Sequence, residues 1–327
     1  MTNAGPALGR RASLIITAAL ALAGTGRARG AEAAIRVAGV VNDPNVILPL
    51  QSGIRLGLFD KVGVKVEFSG YSGGSTAMEA VAAGAADIAV FIPAGTSMAV
   101  KQGMHAKIVA VGILGYDGWH LLVKKDSALT TLAQIANKKI GITANGSNTD
   151  LLALWAANHA NVPIIRVPVG GGGLGPNLLS GNVDAVVAYP PLSYSLINSG
   201  NVRSLFDFGA NIGKVVQSCW VASDAIIRDN PDGLRKMLVG VFSAVAYMKK
   251  NPQWAYDFIR DEMKVDANVA KQEFVSTIQD YSDDGVIKEE WLGPSLDFLK
   301  LAGMTDMPSG KAIYTDAFVP AKAIPQG

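Results

Sequence analysis

The chain has 327 residues, 49% of them hydrophobic and 17% charged, with a formal net charge of +2 and a single cysteine. That balance leaves no basic excess to hold nucleic acid or an anionic membrane surface, and one cysteine forbids an internal disulfide. Stability must come from burial, and a chain of this size can build one large core or two medium ones.

Residues 1–33 read as an export signal. Arg10 and Arg11 precede the apolar run ASLIITAALALAGTG, and AEA at 31–33 offers a small-x-small cleavage site. The run is too short and wrongly flanked for a spanning helix. Its loss removes four arginines and one glutamate and turns +2 into −1. Cys219 is far from the cleavage site, which argues against a lipid anchor, so the expectation is a soluble periplasmic protein.

IRVAGV from Ile35 predicts the first strand, NDPN a turn, and VILPLQSGIRLGLFDKVG one amphipathic helix ending at Gly63. VKVEFSG, DIAVFI and AKIVAVGIL follow as strands, separated by the helices TAMEAVAAG and TSMAVKQG. HLLVKKD leads into a second series: helix TLAQIAN, strand KKIGITA, helix NTDLLALWAANHA and strand PIIRVPV. VRSLFDF and SCWVAS bring the chain back. From Asn230 four amphipathic helices follow, two of them opening at Asn-Pro, and the end reads as an extended tail. Alternating strands and helices of these lengths predict mostly parallel sheets flanked by helices.

Two stretches share one plan. Gly73, Gly74, Gly84, Asp87, Pro93 and Gly103 recur 97 residues later as Gly170, Gly171, Gly181, Asp184, Pro190 and Gly200. The period is too long for a solenoid and fits two similar α/β lobes. Crossings between them are expected near 121–123 and 219–221. The resulting division is 1–33 signal, 34–121 first lobe, 122–218 second lobe, and 219–327 first lobe again.

Gly170, Gly172 and Gly175 also match G-x-G-x-x-G. The match is weak as a dinucleotide fingerprint, because Gly181 and Asn182 close the following helix within two turns and Asp184 comes too early for a ribose. The three histidines, His105, His120 and His159, show no metal-ligand spacing, so no metal is expected. GGSTA at 73–77 comes within one residue of a nucleophile elbow, which keeps a periplasmic serine hydrolase using Ser75 as the alternative; no histidine follows residue 159 to complete its triad.

Five turns follow a strand and open a helix: 42–44, 73–76, 93–96, 146–149 and 170–173. In parallel sheets such ends gather where ligands bind, and free N–H groups there favour a polar or anionic group. Taken singly, each Ser, Thr or Asn is more readily an N-cap; taken together, five such turns in two similar lobes favour a shared cleft. Trp119 and Tyr189 could supply aromatic walls. The candidate ligand-binding set is Asn42, Asp43, Gly74, Ser75, Thr76, Ala94, Gly95, Trp119, Ser147, Asn148, Thr149, Gly171 and Tyr189.

The motifs LGLFDKVGVKVEF, GGSTAMEAVAAGAADIAV, LLVKKDSALTTLAQIANKKIGITANGS, LLSGNVDAVVAYPP and NPDGLRKMLVGVFSAVAYMKKNP, in that order, resemble the nitrate/sulfonate/taurine solute-binding proteins of ABC importers. The resemblance spans 34–327. It implies a two-lobed type II periplasmic binding fold, a small sulfonate-, nitrate- or carboxylate-like solute, an ABC permease as partner, and a monomer without catalysis or cofactor. It also implies ligand contacts at Asn42, Ser75, Gly95, Ser147, Asn148 and Tyr189. Ala188-Tyr189-Pro190 lacks the acid many relatives carry there, which weakens an amine at that position. Mass spectrometry of exported protein is expected to show a chain beginning near Ala34; a retained Met1 overturns the signal assignment.

Overall fold

The computed structural model describes residues 34–325; the expected signal segment lies outside them. The strands are β1 Ile35–Val40, β2 Val66–Tyr71, β3 Ile88–Phe91, β4 Ala106–Leu114 and β5 His120–Lys124. After them come β6 Lys139–Ile142, β7 Ile165–Pro168, β8 Ala185–Ala188, β9 Val202–Asp207 and β10 Val216–Ser223. They form two five-stranded sheets, ordered β2-β1-β3-β10-β4 and β7-β6-β8-β5-β9. In each sheet one strand, β10 or β5, runs against its neighbours, and the others are co-directed.

The two orders are the same plan, and the 97-residue offset carries β3 onto β8 residue for residue. A backbone device recurs with it. Asp87 accepts the Arg36 N–H at 2.8 Å and donates its own N–H to the Arg36 carbonyl at 2.8 Å. Asp184 does the same with Lys139, at 2.8 and 2.9 Å. Each acid therefore sets the register between β1 or β6 and the central strand it precedes, β3 or β8. β3 and β8 read IAVF and AVVA and are wholly buried, as central strands covered on both faces must be. Pro168 is tolerated because β7 is an edge strand.

Three local expectations change. The long first helix divides into Pro44–Arg55 and Leu58–Val62 because Gly57 turns the chain with φ +63°. TLAQIAN supplies only the 3₁₀ turn Leu132–Ile135, closed by Gln134 Oε1 accepting the Thr131 N–H at 2.9 Å. The helix Ala267–Glu273 widens into a π-helical turn over Phe274–Gln279.

The expected crossings at 121–123 and 219–221 lie inside β5 and β10, each of which belongs to a single sheet. The chain instead changes sheets in 115–119, where Gly115 and Gly118 take positive φ, and in 208–215, where Gly213 does. Strand pairing holds β5 and β10 whole, so turning falls to the glycines outside them. The final helix is also shared. In Glu289–Leu301, Leu292 packs into the core of the first sheet, while Phe298 and Leu299 pack into that of the second. The tail adds a short stretch to β4, with Ile108 bonded to Ile313 and Thr315 at 2.8 and 2.9 Å.

Phe298 is 4% exposed, so Phe298→Ala removes a large side chain from a packed site at a cost of about 3–5 kcal/mol. Hydrogen exchange should show lost protection in β5–β9, although residue 298 follows those strands by some ninety positions; unchanged protection there would separate this helix from the second lobe's core.

Candidate functional site

The strand ends of the two sheets face each other across a narrow cleft, about 40 Å³ in volume, that opens to solvent. The first lobe lines it with Val40, Asp43, Asn45, Gly74, Val90, Phe91, Ile92, Gln217 and Ser218. The second lobe and its approach supply Trp119, Thr143, Ser147, Asn148, Thr149 and Tyr189. The loops close directly on one another at the rim. Gly171 donates its N–H to the Ser72 carbonyl at 3.1 Å, and Ser75 Oγ donates to the Asn145 carbonyl at 2.9 Å. A Cβ at Gly73 would lie 2.7 Å from that of Ala144, so this approach needs glycine.

Of the sequence-derived candidates, Asp43, Gly74, Trp119, Ser147, Asn148, Thr149 and Tyr189 line the void. The others do different work. Asn42 is exposed and turns the chain with φ +63°. Thr76 caps its own helix, donating to the Gly73 carbonyl at 2.7 Å and accepting the Gly73 N–H at 3.1 Å. Ala94 is core. Gly95 lies against the Phe91 ring, where any Cβ would collide, and borders a second open pocket of about 930 Å³ that Ser75, Asn145 and Gly146 also line. Gly171 serves lobe contact through its bond to Ser72, and a Cβ there would lie 2.8 Å from the Tyr189 hydroxyl of its own lobe and 3.4 Å from Val40 of the other.

The lining also holds groups that the sequence reading missed. Asn45 Nδ2 donates to Gln217 Oε1 at 3.3 Å, both residues being buried in the first lobe. Across the cleft, Asn148 Nδ2 reaches the Gln217 carbonyl at 3.4 Å, and its Oδ1 accepts from Tyr116 OH at 2.8 Å. Gln217 and Ser218 form a polar pair within the apolar run of β10, a signal that could have been used; Phe91 gives none, because a core phenylalanine reads the same way.

The turn before the helix Asn148–His159 is closed upon itself. Thr143, Ser147 and Thr149 hydroxyls form a triangle with sides of 2.9, 3.0 and 2.9 Å, and Ser147 also accepts the Asp150 N–H at 3.4 Å as N-cap. Asp150, 1% exposed, accepts the Gly146 N–H at 2.7 Å and pairs with Arg166 at 2.8 Å. A carboxylate thus already occupies the positive end of this helix.

Asp43 caps the helix Pro44–Arg55 through Oδ1, which accepts the Asn45 N–H at 3.0 Å. It keeps some accessible surface, yet the surrounding protein pushes its proton affinity up to about 6 by burial, with the Asn45 bond pulling the other way. The Tyr189 phenol is raised above its usual range, first by burial and then by the Asp43 charge beside it. Trp119 packs on Tyr189 at 5.2 Å between ring centres and edge-on to Tyr116 at 5.5 Å. Near Asp43, Glu273 is fully buried and neither of its oxygens accepts a well-formed hydrogen bond. Burial pushes it to about 8; the Thr277 hydroxyl pulls back and Asp43 adds to the rise. Among the described residues no group of three or more His, Cys, Asp or Glu could hold a metal, and no helix is long and apolar enough to cross a membrane.

The NMT1/THI5-like family profile matches residues 45–255, a span that includes every site loop but the turn 42–44. The chain belongs to the NMT1/THI5-like family. Among solved structures, the alkanesulfonate-binding protein SsuA of Xanthomonas axonopodis, bound to MOPS, is 15% identical with a TM-score of 0.75, covering 86% of this chain and 98% of its own. The periplasmic aliphatic sulphonate binding protein SsuA of Escherichia coli is 18% identical with a TM-score of 0.65, covering 84% and 94%. The desulfurization enzyme DSZB is 15% identical with a TM-score of 0.59, covering 88% and 96%. The fold is that of periplasmic binding proteins, in agreement with the resemblance read from the sequence.

Glu273 binds a proton in the folded state up to about pH 8 but releases it near 4.5 when unfolded. Between those values the folded state holds one more proton, so stability falls as pH rises, by up to about 1.4 kcal/mol per pH unit. Asp43 and Asp280, each raised to about 6, add to the fall between pH 4 and 6. Denaturant unfolding measured from pH 5 to 8 should show this slope, flattened in Glu273→Gln; equal slopes in the two proteins would remove Glu273 as its source.

Proposed function

We propose that this chain is an exported, monomeric receptor that closes two lobes over a small polar organic solute and delivers it to the membrane subunits of an ABC importer. The observation that carries this reading is the cleft lined from both lobes and bridged at its rim by their direct hydrogen bonds, a geometry suited to capture and release by hinge closure. The export signal read at 1–33 and the periplasmic binding proteins sharing its fold support the compartment. An anionic head, expected from the sequence, has unpaired helix N–H groups in its favour and Asp43 against it.

Chemistry finds no support in the candidate nucleophiles. Ser75 Oγ–H is committed to the Asn145 carbonyl, and none of the three histidines hydrogen-bonds to it. The thiol of Cys219 is buried, donates to the Phe91 carbonyl at 3.3 Å, and is raised by burial far above an ordinary thiol, so it holds no reactive thiolate.

Thermal-shift screening of small sulfonates, carboxylates, nitrate, amines and neutral solutes should find stabilising ligands that are recovered unchanged. Scattering at saturation should show a smaller radius of gyration than without ligand. Ser75→Ala removes one neutral hydrogen bond from the closed state, about 0.5–1.5 kcal/mol, and should weaken binding by roughly two- to tenfold. Turnover of an ester panel that vanishes in Ser75→Ala would replace the receptor with a hydrolase.

A further inference from the structure

The charge of the cleft bears on what it can hold. Its lining contains no lysine or arginine and one carboxyl group, Asp43. Oδ1 of Asp43 is spent on its helix cap, and no described group donates to Oδ2. An anion entering this space meets that carboxyl without a counter-ion.

The compensation that the second lobe could give an anion is already committed. The N-terminus of the helix Asn148–His159 is the natural seat for negative charge, but Asp150 fills it and is neutralised in turn by Arg166. The three hydroxyls at this turn bond to one another and to the backbone. What the walls offer instead is flat and apolar, with Trp119 and Tyr189 packed at a tilt of 32° between ring planes and both almost fully buried. Tyr189 also links this wall to the acid, because its phenol responds to the Asp43 charge. Gln217 and Asn45 add amides beside Asp43.

We infer that the cleft selects a small cationic solute, one that presents a protonated, hydrogen-bond-donating nitrogen to Asp43 and lays a flat apolar part against Trp119 and Tyr189. This assignment rests on the receptor reading and sharpens it. It moves the nitrogen-binding acid to the turn after β1, whereas the turn after β8, Ala188-Tyr189-Pro190, has none. A charged acceptor makes such a bond strong and selective for a donor, since an acceptor-only solute of the same shape leaves the carboxyl facing like charge.

The test uses the mature protein and matched single-ring probes: benzylamine and benzamidine as cations, benzyl alcohol as the neutral member, benzoate and benzenesulfonate as anions. Calorimetry at pH 7.5 should rank either cation at least tenfold tighter than the anion of similar size. Asp43→Asn keeps an equally good N-cap and removes a buried charge, so the unliganded melting temperature should hold or rise. That variant should lose about ten- to a hundredfold in affinity for the cations, the worth of one charge-assisted hydrogen bond, and lose none for the anions. The ranking in the unaltered protein decides the question even if the variant folds poorly. Anions binding as tightly as cations, or cation binding indifferent to Asp43→Asn, overturns the assignment while leaving the receptor intact. If no probe and no member of the wider solute screen binds, the receptor reading falls and this assignment falls with it.

Discussion

Two backbones meet at the mouth of the cleft with nothing between them. Gly171 of the second lobe bonds directly to Ser72 of the first, and Gly73 presses against Ala144 where even a methyl group would not fit. That contact sets the separation of the lobes and thereby the depth of the void and the reach of Asn148 to Gln217. Wider glycine freedom is not what these positions use. Gly73 adopts extended backbone open to any residue, so its role is clearance, and a larger residue there would hold the lobes apart.

The two lobes reach this meeting by the same route, and much of that route was legible. Turn glycines, the Asp87 and Asp184 clasps, and the prolines after β3 and β8 are local features with strict backbone requirements, so they survive in the sequence at one offset. Alternation of strands with helices then leaves few topologies open. What escaped were events governed by competition rather than by pattern. Gly57 breaks a helix that periodicity carries through, and the lobe boundaries fall to glycines because strands β5 and β10 pair along their whole length.

The site was legible only in outline. Sequence could locate the turns at strand ends but could not say which members face the ligand and which hold the turn. Ser147 and Thr76 illustrate the difficulty, since a hydroxyl that caps a helix has the same sequence signature as one that meets a solute. Gln217 illustrates the converse. It reaches the cleft from the start of a strand returning from the other lobe, so its position depends on the hinge. The lone Asp43 was visible as a turn residue, yet its meaning comes from the absence of bases around it, which only the assembled lining displays.

The shared helix Glu289–Leu301 has a bearing on how the molecule is made. The second sheet is built from one uninterrupted stretch of chain, which invites the view that it could assemble as soon as it is synthesised. Its core, however, is finished by Phe298 and Leu299, and the first sheet's core by Leu292 and by Ile313 and Tyr314 beyond. Each half stays incomplete until the end of the polypeptide arrives. A nascent chain of this sequence is therefore kept from settling early, and both halves reach their final packing together.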